Sequence, residues 1–195
     1  MILIKALLLY LLACGLGVAD EAVLTEIAAR LAKTPIAQGD FHQYKQLKVL
    51  RKPLISTGSF TYDQSKGVIW KTLTPVVSLL LVNESKLLTG QGEQAVPAAF
   101  GKVFKAMLGG DLAALTDGFN IAGTDRKTSW QLELSPKDEM LKKIISTMLL
   151  SGDTELRWLE IREAAGNVTR ISFDNVTHPL QLTEEQEADF ERLSP

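Results

Sequence analysis

The sequence predicts an α+β domain that is mainly β, with its strands antiparallel. Three observations lead there. Between Gly39 and Pro75, three strand-like runs follow one another across short turns, and a parallel pair would need a dozen or more connecting residues. Between Thr128 and Asp174, further runs alternate or are rich in β-branched residues. Between these two β regions, Pro97 to Leu108 places Phe100, Val103, Phe104, Met107 and Leu108 at i, i+3, i+4, i+7 and i+8, one apolar helical stripe.

In chain order, Lys5 precedes an apolar run, Ala6 to Ala13, that is too short to span a membrane, and Gly17-Val18-Ala19 has the small residues of a cleavage site. Residues 1–19 therefore read as a secretory signal peptide, cleaved near Ala19, and residues 20–195 as one domain. Cleavage there removes Cys14, the only cysteine, so an exported domain would be held by its core rather than by disulfides. Leu11-Leu12-Ala13-Cys14-Gly15 also resembles a lipobox, which would instead leave Cys14 as a lipidated N-terminus. A small residue two places before the cysteine would fit that motif better than Leu12 does.

Ala22 to Lys33 carries Leu24, Ile27, Ala28 and Leu31 on one helical face and stops at Thr34-Pro35, as a helix packed on a sheet would. Phe41 to Leu50 is the first strand-like run, broken by Arg51-Lys52-Pro53. Leu54 to Asp63 follows, then the turn Gln64 to Gly67, and then Val68 to Leu73 up to Thr74-Pro75. Val76 to Val82 is apolar on both strand faces except at Ser78, so both faces should be covered. A central sandwich strand and a strand curved round a cavity are equally consistent with that.

Gly109-Gly110 ends the Pro97–Leu108 stripe, and Asp111 can cap a second short helix bearing Leu112 and Leu115. On the residues alone, this pair of helices reads as a core crossover. Thr128 to Leu134 alternates, with Trp130, Leu132 and Leu134 on one face. Lys142 to Leu150 reads as a strand, and Glu155 to Glu163 and Asn167 to Asp174 are strands across the turn Ala164-Ala165-Gly166. Thr183 with Gln186 forms a capping-box pattern opening a helix to Phe190, with Glu184, Glu185 and Glu187 as its solvated face.

A family resemblance lies in the first β region. Phe41, Gln43 and Lys45 form F-x-Q-x-K. Pro53, Leu54, Ser56, Gly58, Phe60 and Tyr62 form P-L-x-S-x-G-x-F-x-Y. Lys66 to Lys71 with Pro75 form K-G-V-I-W-K-x-x-x-P. This resembles the first three strands of the LolA-type periplasmic lipoprotein carriers, and element order extends the likeness over most of the exported domain. The resemblance implies a strongly curved antiparallel sheet, an incomplete half β-barrel, with a helical lid over an apolar cavity. It makes Pro97 to Leu115 that lid, and it makes Phe60, Tyr62, Trp70, Leu80, Phe100, Phe104, Met107 and Trp130 the lining. It also implies a periplasmic monomer that takes the acyl chains of a lipoprotein, or of a related envelope lipid, from an inner-membrane lipoprotein-releasing ABC transporter to an outer-membrane acceptor lipoprotein. The sequence departs from the pattern at one turn. Where those carriers have an arginine that bonds the lid, followed by proline, this chain has Gln64 and Ser65, which puts the class of cargo in doubt. Two alternatives follow: a LolB-like acceptor tethered through Cys14, or a carrier of another lipid such as an aryl-polyene lipid.

Chemistry-bearing motifs are sparse. The formal charge of −2, with no basic block, argues against nucleic acid as a partner. His42 and His178, the two histidines, lack metal-ligand spacing, so no metal or other cofactor is expected. No nucleophile elbow or phosphate loop is present, so no residue is assigned a catalytic role and an enzyme acting on a lipid is the weakest reading.

Overall fold

A computed structural model of the chain describes residues 21–31, 35–83, 86–90, 92–94, 103 and 106–193. A helix, α1 (Glu21–Arg30), precedes six strands: β1 (Ile36–Gln46), β2 (Leu54–Asp63), β3 (Gly67–Thr74), β4 (Ser78–Val82), β5 (Leu87–Thr89) and β6 (Gly92–Gln94). A 3₁₀ turn at Leu112–Leu115 leads to β7 (Phe119–Arg126) and β8 (Ser129–Pro136). After α2 (Glu139–Lys142) come β9 (Ile145–Gly152), β10 (Leu156–Glu163) and β11 (Val168–Thr177), and α3 (Glu184–Glu191) closes the order.

All eleven strands lie in one sheet, ordered β6-β5-β4-β3-β2-β1-β11-β10-β9-β8-β7. The chain starts at the middle of the sheet, works outward to β6, passes to the far edge at β7 and returns inward until β11 pairs with β1. Every pairing is antiparallel, and β6 and β7 remain as edges, so the sheet is an incomplete barrel. This order explains the position of the helices between them. The connection from edge to edge has to cross a whole face of the sheet, and the buried helical residues Val103, Ala106 and Met107 belong to the core on that face.

Successive side chains of a strand point to opposite faces, so register decides what each face holds. One face carries Phe60 and Tyr62 of β2, Val68 and Trp70 of β3, Phe41 of β1, Ile171 and Phe173 of β11, Leu159 of β10, Met148 and Leu150 of β9, and Trp130, Leu132 and Leu134 of β8. All of them are buried. Ile27 and Leu31 of α1, with Leu112 and Leu115 of the 3₁₀ turn, pack into the same cluster. The other face is mostly polar, with Tyr44, Leu149 and Trp158 on it, and over β3 and β4 Ile69 and Leu81 meet Phe190 of α3 and Leu193 beyond it.

Several elements differ from the sequence expectation. The first strand begins at Ile36 and ends at Gln46, because Gly39 lies inside the ladder rather than at a turn. Val76 and Val77 are outside β4 and exposed, since an apolar run does not by itself distinguish strand from turn. Strands β5, β6 and β7 were not anticipated; β7 loses its apolar alternation after Ile121, at Gly123 and Asp125. The run from Lys142 to Leu150 divides, because Asp138 caps α2 through bonds to Met140 N and Leu141 N and the strand starts only at Ile145. The second short helix is a 3₁₀ turn, with Asp111 accepting from Ala114 N. The capping box of α3 is present with both of its reciprocal bonds. Glu184 and Glu185 are exposed, as expected of a solvated face, with Glu185 reaching Lys71 at 3.0 Å, while Glu187 is half-buried and pairs with Lys66. The signal-peptide and lipobox segments, Pro97, Phe100 and Phe104 lie outside the described residues.

Candidate functional site: the inner face of the half-barrel

The inner face is built on pairs in which an aromatic ring lies opposite a glycine. Phe41 stands across from Gly58, Phe60 from Gly39, and Trp130 from Gly152. A Cβ on Gly58 would come 2.8 Å from the Phe41 ring and 2.0 Å from the Lys71 carbonyl oxygen. On Gly39 it would meet the Phe60 ring at 3.0 Å, and on Gly152 the Trp130 ring at 2.7 Å. Each missing side chain lets a ring lie flat across the neighbouring strand.

The rings therefore meet over strands that are not adjacent. Phe41 on β1 stacks on Trp70 of β3 with centroids 3.8 Å apart. Phe60 on β2 meets Phe173 of β11 edge-on at 5.5 Å. Trp70 and Phe173 lie three strand steps apart, about 14 Å in a flat sheet, yet their centroids are 6.3 Å apart. The sheet curves towards this face, and the four rings make its floor.

Of the residues named from sequence, register puts Phe60, Tyr62, Trp70, Leu80 and Trp130 on this one face. Phe60 and Trp70 sit in the central floor. Tyr62 packs in a smaller cluster with Ala37, Val68 and Val82, joined by Leu80 and Leu108. Trp130 lies in the opposite half, and its indole N–H donates to the Asp153 carbonyl at 2.8 Å. Met107 is buried against the main cluster.

Sequence reasoning assigned no lining role to Phe41 or Phe173. The signal for Phe41 was present in its glycine partner, but the pairing of Phe41 with Gly58 is visible only once β1 and β2 are in register.

Electrostatically the inner face is quiet. Burial, with Asp63 and Asp111 nearby, pushes the Tyr62 hydroxyl up to about 12, so it stays a neutral phenol. Charged pairs sit at the margin or outside. Arg30 of α1 reaches Asp125 of β7 at 2.7 Å and fastens the helix to that edge. On the outer face, burial tends to raise the Glu160 carboxyl, but Arg162 at 2.7 Å and Arg170 at 2.6 Å hold it below its ordinary value. His178 meets Glu155 at 2.7 Å and the Ile36 carbonyl oxygen at 3.3 Å, positions that tie the end of β11 to β1 and β10.

Gln64 is exposed at the β2–β3 turn, where its backbone N–H donates to Pro35 O at 2.8 Å. The turn is fixed by Asp63, whose Oδ1 accepts from Ser65 N at 2.8 Å, Ser65 Oγ at 2.6 Å and Lys66 N at 2.9 Å. A side-chain cap thus supplies the turn's rigidity without proline.

The site is thus a curved apolar face, packed against α1 and the residues from Ala106 to Leu115 instead of a second sheet. Residues 18–188 match the family model described as outer membrane lipoprotein carrier protein LolA-like. The chain belongs to that LolA-like family. An outer-membrane lipoprotein carrier protein of Ralstonia nicotianae is 28% identical over 183 residues, spanning 84% of this chain and 81% of that protein. Two solved structures are also similar. A LolA superfamily protein from Nitrosomonas europaea has 11% identity and a TM-score of 0.46, covering 87% of this chain and 97% of that one. A putative outer membrane lipoprotein-sorting protein domain from Vibrio parahaemolyticus has 11% identity and a TM-score of 0.47, covering 88% and 96%.

Proposed function

We propose that this member of the LolA-like family is a periplasmic carrier that takes acyl chains of a lipoprotein, or of a related envelope lipid, onto its inner face and moves them from inner to outer membrane. The observation that carries this reading is the roof. Residues 103–115 bury Val103, Met107, Leu112 and Leu115 against the same surface as Phe60, Trp70 and Trp130. The protein thus covers its own apolar face with side chains on a separate segment.

That arrangement suits a carrier thermodynamically. Burial is worth about 0.8 kcal/mol per methylene, on the order of 12 kcal/mol gross for a sixteen-carbon chain. Cargo that must first displace Met107 and its neighbours keeps only part of that sum, so release stays feasible. Methionine repacks readily, which suits a surface that is alternately covered and filled. In this reading Phe60, Tyr62, Trp70, Leu80 and Trp130 contact cargo, Phe100 and Phe104 join Met107 in the roof, and no covalent step occurs. The donor would be an inner-membrane lipoprotein-releasing transporter and the receiver an outer-membrane acceptor. Gln64 would hold the roof less firmly than an arginine, leaving room for cargo other than a lipoprotein.

The test is native extraction of the protein from the envelope, with mass spectrometry of what co-purifies and of the protein's own N-terminus. Acylated protein or lipid at near-stoichiometric amounts supports the carrier. Recovery without any acyl species, together with no uptake of a fluorescent fatty-acyl probe, overturns it. A lipidated Cys14 at the N-terminus would instead make the protein an anchored acceptor.

A further inference from the structure

We propose that one end of the half-barrel docks on an anionic phospholipid bilayer. The end is defined by three turns, residues 47–53, 75–77 and 164–167, together with α2 and the residues after it. These segments form one continuous rim. Lys48 N donates to Asn167 Oδ1 at 3.0 Å, Ala164 N donates to Ile144 O at 2.9 Å, and the hydroxyls of Thr57 and Thr74 bond at 2.7 Å between the first two turns.

Two properties coincide on this rim. The first is apolar exposure: Val49 is 88% exposed, Val76 72%, Val77 71%, Ile55 61% and Ile144 55%. Every exposed large aliphatic side chain among the described residues, Leu180 excepted, lies at this end. Water-facing aliphatics gathered at one end, on tips from several turns, mark a surface that meets an apolar phase.

The second property is charge. The 47–53 turn carries Lys48, Arg51 and Lys52 with no acid, and α2 with the residue after it adds Lys142 and Lys143 against Glu139, which pairs with Lys142 at 2.7 Å. Lys48, Arg51, Lys52 and Lys143 form no ion pair with any described residue. The whole chain is formally −2, so this local excess of cations runs against the average. Aliphatic tips inserted at the acyl boundary, with cations level with the phosphates, fit a bilayer bearing negative headgroups better than the dry, charge-depleted core of a protein interface. The docking does not depend on what the inner face holds.

Vesicle flotation tests it, using the full chain as it accumulates on expression. The two vesicle types are phosphatidylcholine alone, and phosphatidylethanolamine mixed with phosphatidylglycerol. Wild type should float with the anionic vesicles at low salt and be released as salt rises, while ignoring phosphatidylcholine. Each cation at such a surface contributes roughly fivefold, so R51E/K52E should weaken binding by about 25-fold or more. V76D/V77D should abolish it, and Leu180→Asp, an equally exposed aliphatic at the other end, should leave it intact. All these sites are exposed, and circular dichroism verifies folding; if V76D/V77D misfolds, R51E/K52E decides. Wild type that ignores anionic vesicles at low salt overturns the proposal, as does V76D/V77D binding like wild type or equal loss in Leu180→Asp. Rim-dependent cross-linking to an envelope protein without vesicle binding would assign the rim to that protein and also overturn it.

Discussion

The two faces of the same strands are held by different physics. On β2, Phe60 and Tyr62 point inward to a dry aromatic surface, whereas Ser59 and Thr61 point outward, Thr61 accepting from Gln186 at 2.9 Å. On β10, Leu159 is inward and fully buried, while Glu160 is outward between two arginines. Inner-face cohesion comes from ring burial and shape, which depend little on pH until Tyr62 titrates in strong alkali. Outer-face cohesion comes from hydrogen bonds and ion pairs, individually weak and dependent on conditions. A carrier of apolar cargo needs that division, because only the inner face must stay indifferent to the charge of its surroundings.

The sharpest way to break the comparison is at Gly58, where shape alone is at stake. Gly58→Ala puts a methyl 2.0 Å from Lys71 O and 2.8 Å from the Phe41 ring, so β2 and β3 must part or the Phe41–Trp70 stack must come undone. A loss of about 3–4 kcal/mol is expected in urea denaturation, at the upper end for a single substitution. A loss under ~1 kcal/mol would show that the rings do not need the glycine gap.

Tyr62 is the inner-face group whose titration burial displaces. Its folded value of about 12 lies above the ordinary 10.0, so between those pH values the unfolded chain gives up a proton that the folded protein keeps. The contribution is complete below pH 10 and is lost as pH rises, amounting to about 2–3 kcal/mol. Tyr62→Phe should remove that part of the alkaline decline, read by comparing urea midpoints of wild type and variant across this range.

Glu160 tests the outer face in the opposite direction of pH. Arg162 and Arg170 overcome the effect of burial and lower its carboxyl below 4.5, so the pairing stabilises above that value and is lost as pH falls through the lower one. With both arginines about half exposed, Glu160→Gln should cost about 1 kcal/mol at neutral pH. The difference from wild type should vanish in acid; a difference that persists there would mean the carboxyl acts by packing.

Much of this division was legible in the sequence. Strand β2 has the predicted bounds, and the alternation of Trp130, Leu132 and Leu134 appears as buried inward side chains. What escaped depended on long-range pairing. Gly39 and Gly58 are local turn or motif signals until register sets Phe60 and Phe41 opposite them. Strand β7 is an edge strand whose polar second half carries no period of its own. The ion pairs of Glu185 and Glu187 were not visible because the lysines they meet are more than a hundred residues earlier in the chain.

The smallest expected effect is at Thr183, and it asks whether the faces are independent. Thr183 caps α3, its hydroxyl accepting from Gln186 N at 3.3 Å while Gln186 Oε1 accepts from Thr183 N at 2.9 Å. The same Gln186 side chain donates to Gln38 at 3.2 Å and Thr61 at 2.9 Å, so the cap also aims the helix at the sheet. Thr183→Ala removes one of these bonds and leaves the Gln186 anchors, so a cost of about 0.5–1 kcal/mol is expected. Hydrogen exchange should quicken in α3 while amides of β2 and β10 keep their protection, because α3 reaches only the outer face. Uptake of a fluorescent fatty-acyl probe should be unchanged. If uptake shifts with this substitution, α3 is coupled through β3 to the aromatic floor, since Ile69 under the helix and Trp70 in the floor are consecutive residues of one strand.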